Sequence, residues 1–271
     1  RHPQGRRLVF IGDLVDRGPD SPAVLEWVRA RVAEGLAQCV VGNHELLLLM
    51  QDSREGCRWY TDPAHPETQP GAAWHAPSIE RLRHETRPLA ELYTQIEQQI
   101  EATLQREGLL DAEAQEKQRY AAQLAGPHDP PPMLPAVAQA ALRRNLDHPL
   151  RTLTYGVDCP GEQPVYVMER WRMNARSRWW NDYHDDTPVV FGYYWRKLAP
   201  ARWPSGSPRM PPVFDAMAPD QWFGARGNVF CVDFRSVRAF WKCAMARRPL
   251  TPIWRRCAGP NASCGLRRVG G

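Results

Sequence analysis

Leu8-Val9-Phe10-Ile11-Gly12-Asp13-Leu14-Val15-Asp16-Arg17-Gly18 and, one helix further on, Cys39-Val40-Val41-Gly42-Asn43-His44-Glu45 decide the fold. Each stretch is a short apolar run that breaks into a glycine-led polar turn. The chain between them reads as a helix. Ser21 is the expected N-cap and Pro22 the first helical residue. Val24, Leu25, Val28 and Val32 fall on one face, and Gly35 suits a left-handed close. Strand, helix, strand makes a βαβ unit with both polar turns at the carboxyl ends of its strands. Ligands bind at that edge in open α/β sheets, and a right-handed crossover sets the two turns side by side. Asp13, Asp16, Arg17, Asn43 and His44 are therefore expected to converge on one cleft.

Those side chains suit one kind of chemistry. Asp13 and Asn43 offer hard oxygen donors of the type that divalent Mg or Mn prefers. Arg17 is a planar fork matched to phosphate oxygens. His44 exchanges a proton near neutral pH, and Asp16 can fix its tautomer as the third member of a triad does. Gly12 and Gly42 let the backbone approach a bound group. The set predicts metal-assisted hydrolysis of a phosphate ester.

G-D-x-V-D-R-G followed by G-N-H-E at this separation resembles the calcineurin-like metallophosphoesterase family, which includes serine/threonine phosphoprotein phosphatases and diadenosine-tetraphosphate hydrolases. The resemblance implies an α/β fold: two mixed β-sheets stacked as a sandwich and flanked by helices, here incomplete at the N-terminus. It implies that Asp13 bridges two metal ions and that Asn43 ligates one of them. His44, paired with Asp16, becomes the proton donor, and Arg17 binds the substrate phosphate. The ions are divalent, with Mn expected first and Mg, Fe or Zn as alternatives; they generate the hydroxide that attacks phosphorus. The implied substrate is a phosphorylated small molecule or a phosphoprotein.

The chain also departs from the family pattern. The D-x-H pair expected on a strand before Arg7 is absent. In Gly71-Ala72-Ala73-Trp74-His75 the strand-histidine position is held by Gly71, with His75 a poorly registered substitute. In Val189-Val190-Phe191-Gly192-Tyr193 the expected histidine is Tyr193, and a neutral phenol is a poor metal ligand. The expectation is a metallophosphoesterase that holds its ions weakly and turns over slowly. The alternatives are a non-catalytic phosphate-binding module or a fragment without activity of its own.

Elsewhere the pattern is coarser. Residues 46–49 are four leucines, read as core, and Cys39 is read as core within its strand. Residues 51–70 read as loop. Residues 78–125 are helical in pattern, with Pro88 dividing them and Leu89, Leu92, Tyr93, Ile96, Ile100 and Leu104 forming one apolar stripe. Residues 126–135 are proline-rich loop, and 136–145 a short helix. Residues 150–158 and 164–169 read as strands. Arg172, Arg176, Arg178, Trp179 and Trp180 suggest a polar helix with inward tryptophans, or a surface that grips phosphate or a base. Asp185 and Asp186 read as a solvated turn, and 227–234 as a late strand of the same fold.

The expected organisation is a metallophosphoesterase-like domain over 1–234, largely helical at 78–148, followed by a basic irregular tail over 235–271. The formal net charge is +5. The tail carries nine Lys or Arg and no acid, so without it the charge is −4. That tail suits a disordered arm, a nucleic-acid-binding arm or the product of a shifted reading frame; nucleic acid is otherwise not an expected partner. No apolar run reaches the roughly 18–20 residues of a membrane span. Seven cysteines without a C-x-x-C pair point to a reducing cytoplasm.

Overall fold

A computed structural model of the protein describes residues 3–16, 20–50, 72–167, 170–196, 213–214 and 217–234, with backbone alone over 72–86. Arg17, Gly71, the 51–70 segment and the tail lie outside these residues. The chain divides into two compact units, Arg1–Ala175 and Arg176–Gly271.

The first unit opens with the βαβ element. Strand β1 (Leu8–Phe10) pairs in parallel with β2 (Ala37–Cys39), Leu8 facing Ala37 and Phe10 facing Cys39. Helix α1 (Ser21–Ala33) crosses between them. Its N-cap is Asp20, whose carboxylate accepts the Ala23 amide hydrogen at 3.0 Å, rather than the expected Ser21. Ser21 is buried instead and accepts the Asp16 N–H at 3.0 Å. Gly35, at φ +68°, closes α1 as anticipated: its N–H reaches Val32 O and the Leu36 N–H reaches Arg31 O, each at 2.9 Å. Val28 is buried, whereas Val24 and Val32 are exposed. Cys39 is also exposed, not core. On β2 only Ala37 is buried, so that strand has one covered position rather than a covered face.

Helix α2 (Asn43–Leu49) follows β2 and is buried along its whole length. It packs on α3 (Ala72–Arg106) and on α7 (Pro149–Tyr155). Pro88 does not divide α3. Packing of α3 against α2 and α6 (Pro135–Leu146) outweighs the one hydrogen bond that a proline cannot donate. Tyr93, Ile100 and Leu104 are buried as the stripe requires, while Leu92 is exposed. Between them α4 (Leu109–Arg119) and the single turn α5 (Ala121–Leu124) complete the helical region. Ile100, Leu104, Leu109, Ala136 and Ala140 form its core. Arg144 lies across this core, giving its Nε to Glu101 at 2.6 Å and its Nη1 to Glu113 at 3.0 Å.

The stretch expected as a strand from residue 150 is helix α7. Pro149 occupies its first turn, and the Thr152 and Thr154 hydroxyls donate back to the His148 and Leu150 carbonyls. Strand β3 (Asp158–Val167) and β4 (Arg170–Arg176) then pair. Arg172 and Arg176 therefore sit on a strand, not on a polar helix. Trp171 anchors β4, its Nε1–H donating to Gln123 O and Gly126 O.

The second unit contains a 3-10 turn at Trp179–Asn181 and a parallel pair, β5 (Val189–Phe191) with β6 (Val229–Cys231). Trp180, Tyr194, Phe223, Val229 and Cys231 form its core, so Trp180 does point inward. Asp185 closes the acidic turn by accepting both the N–H and the hydroxyl of Thr187, at 2.8 and 2.9 Å.

The architecture of the described residues is mixed helix and strand, an α/β fold. Among the described residues no helix is long and apolar enough to cross a membrane.

Candidate active site

The two polar turns meet. A Cβ built on Gly42 would lie 2.9 Å from both Gly12 Cα and the Asp13 nitrogen. One built on Gly12 would lie 2.6 Å from the Gly42 nitrogen. Only glycine fits at either position, and the close approach is of one turn to the other rather than to a bound group.

Across this contact His44 Nδ1–H donates to Asp16 Oδ2 at 2.6 Å, with both side chains buried. The pair bridges 28 residues of sequence. Asp16 is held at φ +69° and Asp13 at φ +55°. That left-handed backbone is rare outside glycine but tolerated by aspartate. Asp13 is exposed, next to Gly12 and against Gly42. Asn43 is buried at the first position of α2, and among the described residues its Nδ2 finds no hydrogen-bond partner. Four of the five expected residues thus share one neighbourhood. Arg17, the fifth, lies outside the described residues.

Glu45 is the site residue to which the sequence assigns no role beyond its place in G-N-H-E. Its Oε1 accepts the Leu14 N–H at 2.6 Å and the Val15 N–H at 3.3 Å. Its Oε2 accepts the Asp13 and Gly42 N–H groups, each at 2.9 Å. An acid three residues after an N-cap glycine was the available signal, since N3 glutamate reaches back to the N-cap amide. That signal foretold Gly42 but not the three donors from the other turn.

A divalent cation is implied by the family motifs. The donors here fit it in kind, since Asp13 and the Asn43 side-chain carbonyl bring hard oxygens. They fall short in number. Among the described residues no three His, Cys, Asp or Glu side chains gather where they could hold an ion.

In the second unit, Tyr193 follows β5 within the turn at residues 192–195. Tyr193 and Trp195 have φ +69° and +53°, and Arg176 stacks on the Tyr193 ring 4.4 Å from its centroid. His184 and the Asp185–Asp186 turn lie before β5, where the His184 carbonyl accepts from Arg226.

A family model, calcineurin-like phosphoesterase, matches residues 2–225. The asymmetrical bis(5'-nucleosyl)-tetraphosphatase of Geobacillus thermodenitrificans is 54% identical over 43 residues, which are 16% of this chain and 18% of that protein. The Bacillus subtilis enzyme of the same name is 49% identical over 43 residues, with the same coverage of 16% and 18%. A symmetrical bis(5'-nucleosyl)-tetraphosphatase of Ralstonia nicotianae is 47% identical over 47 residues, 17% of each chain. The chain thus spans under a fifth of the length of these relatives, at most 18%. No solved structure matches it. By the extent of the family match, the chain belongs to the calcineurin-like phosphoesterases, a family of hydrolases.

Proposed function

We propose that this chain is a phosphoesterase acting on a dinucleoside polyphosphate or a related phosphate ester, with its proton-handling residues in the two joined turns. The buried Asp16–His44 pair carries this reading. Asp16 accepts the proton on Nδ1, so exchange with the substrate falls to His44 Nε2. A donor there would protonate the leaving oxygen, a contribution of about 10²–10⁴-fold. Arg17, next in sequence to Asp16, would hold the phosphoryl oxygens through its guanidinium fork. Asp13 and Asn43 would hold a divalent cation, Mn before Mg, Fe or Zn. When bound, such an ion supplies positive charge that acidifies water and offsets charge on phosphate oxygens.

Two protein donors are few against the six oxygens of an octahedral site. Losses even in the outer shell of a metal site typically cost about 10–100-fold. The chain should therefore bind its cation weakly and turn over slowly. Tyr193 at the expected histidine position supports the same reading, and also supports the second one: a module that binds phosphate without cleaving it. The free cysteines Cys39, Cys159 and Cys231 accord with a cytoplasmic setting.

Calorimetry with Mn, together with turnover on diadenosine tetraphosphate and on p-nitrophenyl phosphate, tests this. Slow turnover is expected, lowered about 100-fold by His44→Gln on the dinucleotide. The effect on p-nitrophenyl phosphate should be smaller, because its leaving group needs little protonation. Micromolar binding of two ions with brisk turnover would overturn the weak grip. Turnover indifferent to His44→Gln would overturn the role of His44. Phosphate binding without turnover would select the second reading.

A further inference from the structure

We infer that Glu45 is the positioning residue that assembles this site. Its carboxylate fastens the turn carrying Asp13 and Asp16 to the turn carrying Asn43 and His44, so that the two form and separate together. The inference rests on the proposed site and adds the device that holds it.

Capping alone would explain one of its four hydrogen bonds, the one from Gly42. The other donors, Asp13, Leu14 and Val15, are successive amides 30 to 32 residues away in sequence. Each carboxylate oxygen takes two of the four N–H groups. Consecutive amides converging on an anion form a nest, and such concavities need unusual backbone. The turn supplies it: Gly12, Asp13 and Asp16 all have positive φ. Glu45 is buried, so water offers these amides poor replacement. It also stands on a helix whose next four residues are core leucines, which gives the nest a fixed base. Val15 packs on Leu47 and Leu48 and secures the far end of the turn by apolar contact. Removing the carboxylate should therefore free the turn locally and leave the unit folded.

The test is amide hydrogen exchange by NMR on the full chain, comparing wild type with Glu45→Gln, Glu45→Ala and Leu104→Ala. Glutamine keeps one acceptor oxygen and turns a donor toward two of the four amides. Exchange at Asp13, Leu14, Val15 and Gly42 should rise about tenfold or more in Glu45→Gln, and further in Glu45→Ala. Amides of α4 and α6 should change little. Leu104→Ala, which weakens the helical core, should raise exchange across the unit without singling out these four. Mn titration gives a second readout through paramagnetic broadening. In wild type the Asp13 and Asn43 amides should broaden at the same Mn concentration. In Glu45→Gln both should need several-fold more Mn, because the two turns no longer hold their ligands together.

Unchanged exchange at the four amides in Glu45→Gln, or a rise no more local than that in Leu104→Ala, would overturn the role of Glu45. Failure of Mn to broaden either turn in wild type counts against the proposed cation site instead, and the exchange result then decides Glu45 alone.

Discussion

The turn pair in the first unit and the turn after β5 in the second share a backbone peculiarity but are held differently. Asp13 and Asp16 sit in left-handed conformation in one, Tyr193 and Trp195 in the other. In the first, amide hydrogens gather on the Glu45 carboxylate, and the Asp16–His44 pair completes a polar contact. In the second, Arg176 lies over Tyr193, and Arg196 is buried against the rings of Phe214, Phe223, Phe230 and Phe234. Strained backbone persists only where its surroundings over-determine it. Hydrogen bonds to charge do this in one place, and aromatic packing around arginine does it in the other. The difference teaches that the same left-handed backbone can be held by quite different contacts. The first gathers Asp13, Asp16, Asn43 and His44 at one contact, while the second sets the Tyr193 ring beneath Arg176.

The sharpest way to break this comparison is at Arg196. Its guanidinium donates to the carbonyls of Ala218, Gln221 and Cys231. Arg196→Met keeps the volume and orphans those acceptors. The expected loss is about 3 kcal/mol, read by urea denaturation. A loss below about 1 kcal/mol would mean that the rings alone hold the turn.

Arg144→Met in the first unit should cost less, about 2 kcal/mol, because Arg144 and Glu101 keep partial contact with water. The same network sets a pH dependence. The hydrogen bond from Arg144 holds Glu101 below the ordinary glutamate range, against the upward push of burial. Burial also pushes Glu113 up, but hydrogen bonds from Arg144 and Lys117 outweigh it and leave it lowered. A lowered carboxylate stabilises the fold above its unfolded pKa, and that stability drains away as pH falls below about 4.5. His148 adds an earlier step. Burial lowers it, so the unfolded chain takes up the proton first and stability declines from about pH 6.5 downward until the folded pKa is passed. Thermal melting against pH should show both steps. His148→Gln should remove the upper one, and Arg144→Met should reduce the lower.

Tyr193→Ala removes the ring under Arg176 and keeps the left-handed backbone, for a loss of about 1 kcal/mol. Asp20→Ala removes the cap of α1 for a similar or smaller loss, about 0.5–1 kcal/mol.

What could be read from the sequence was local and periodic. An apolar run, a glycine turn, a capped amphipathic stretch and a second apolar run gave the βαβ unit, including the Gly35 close. The apolar runs at 189–191 and 229–231 gave β5 and β6, though not their parallel pairing. What escaped was settled partly by back-bonding over one helical turn and partly by contacts distant in sequence. Thr152 and Thr154 look like strand residues until their hydroxyls bond back four positions, to the carbonyls of His148 at the cap of α7 and of Leu150 within it. Pro88 reads as a breaker until the packing of α3 is known. Cys39 looks like core because nothing local says that β2 covers only one position. Glu45 was visible as a cap, but three of its partners come from a turn some thirty residues earlier, between 30 and 32 positions away.

The most direct test of the account is the imidazole spectrum of His44, assigned in wild type and in Asp16→Asn. If the two turns meet as described, the Nδ1 proton of His44 will appear as a hydrogen-bonded, slowly exchanging downfield signal in wild type. It will be lost or moved strongly upfield in Asp16→Asn. A wild-type His44 whose Nδ1 proton exchanges freely with water, with a spectrum indifferent to Asp16→Asn, would contradict the meeting of the two turns and the site built on it.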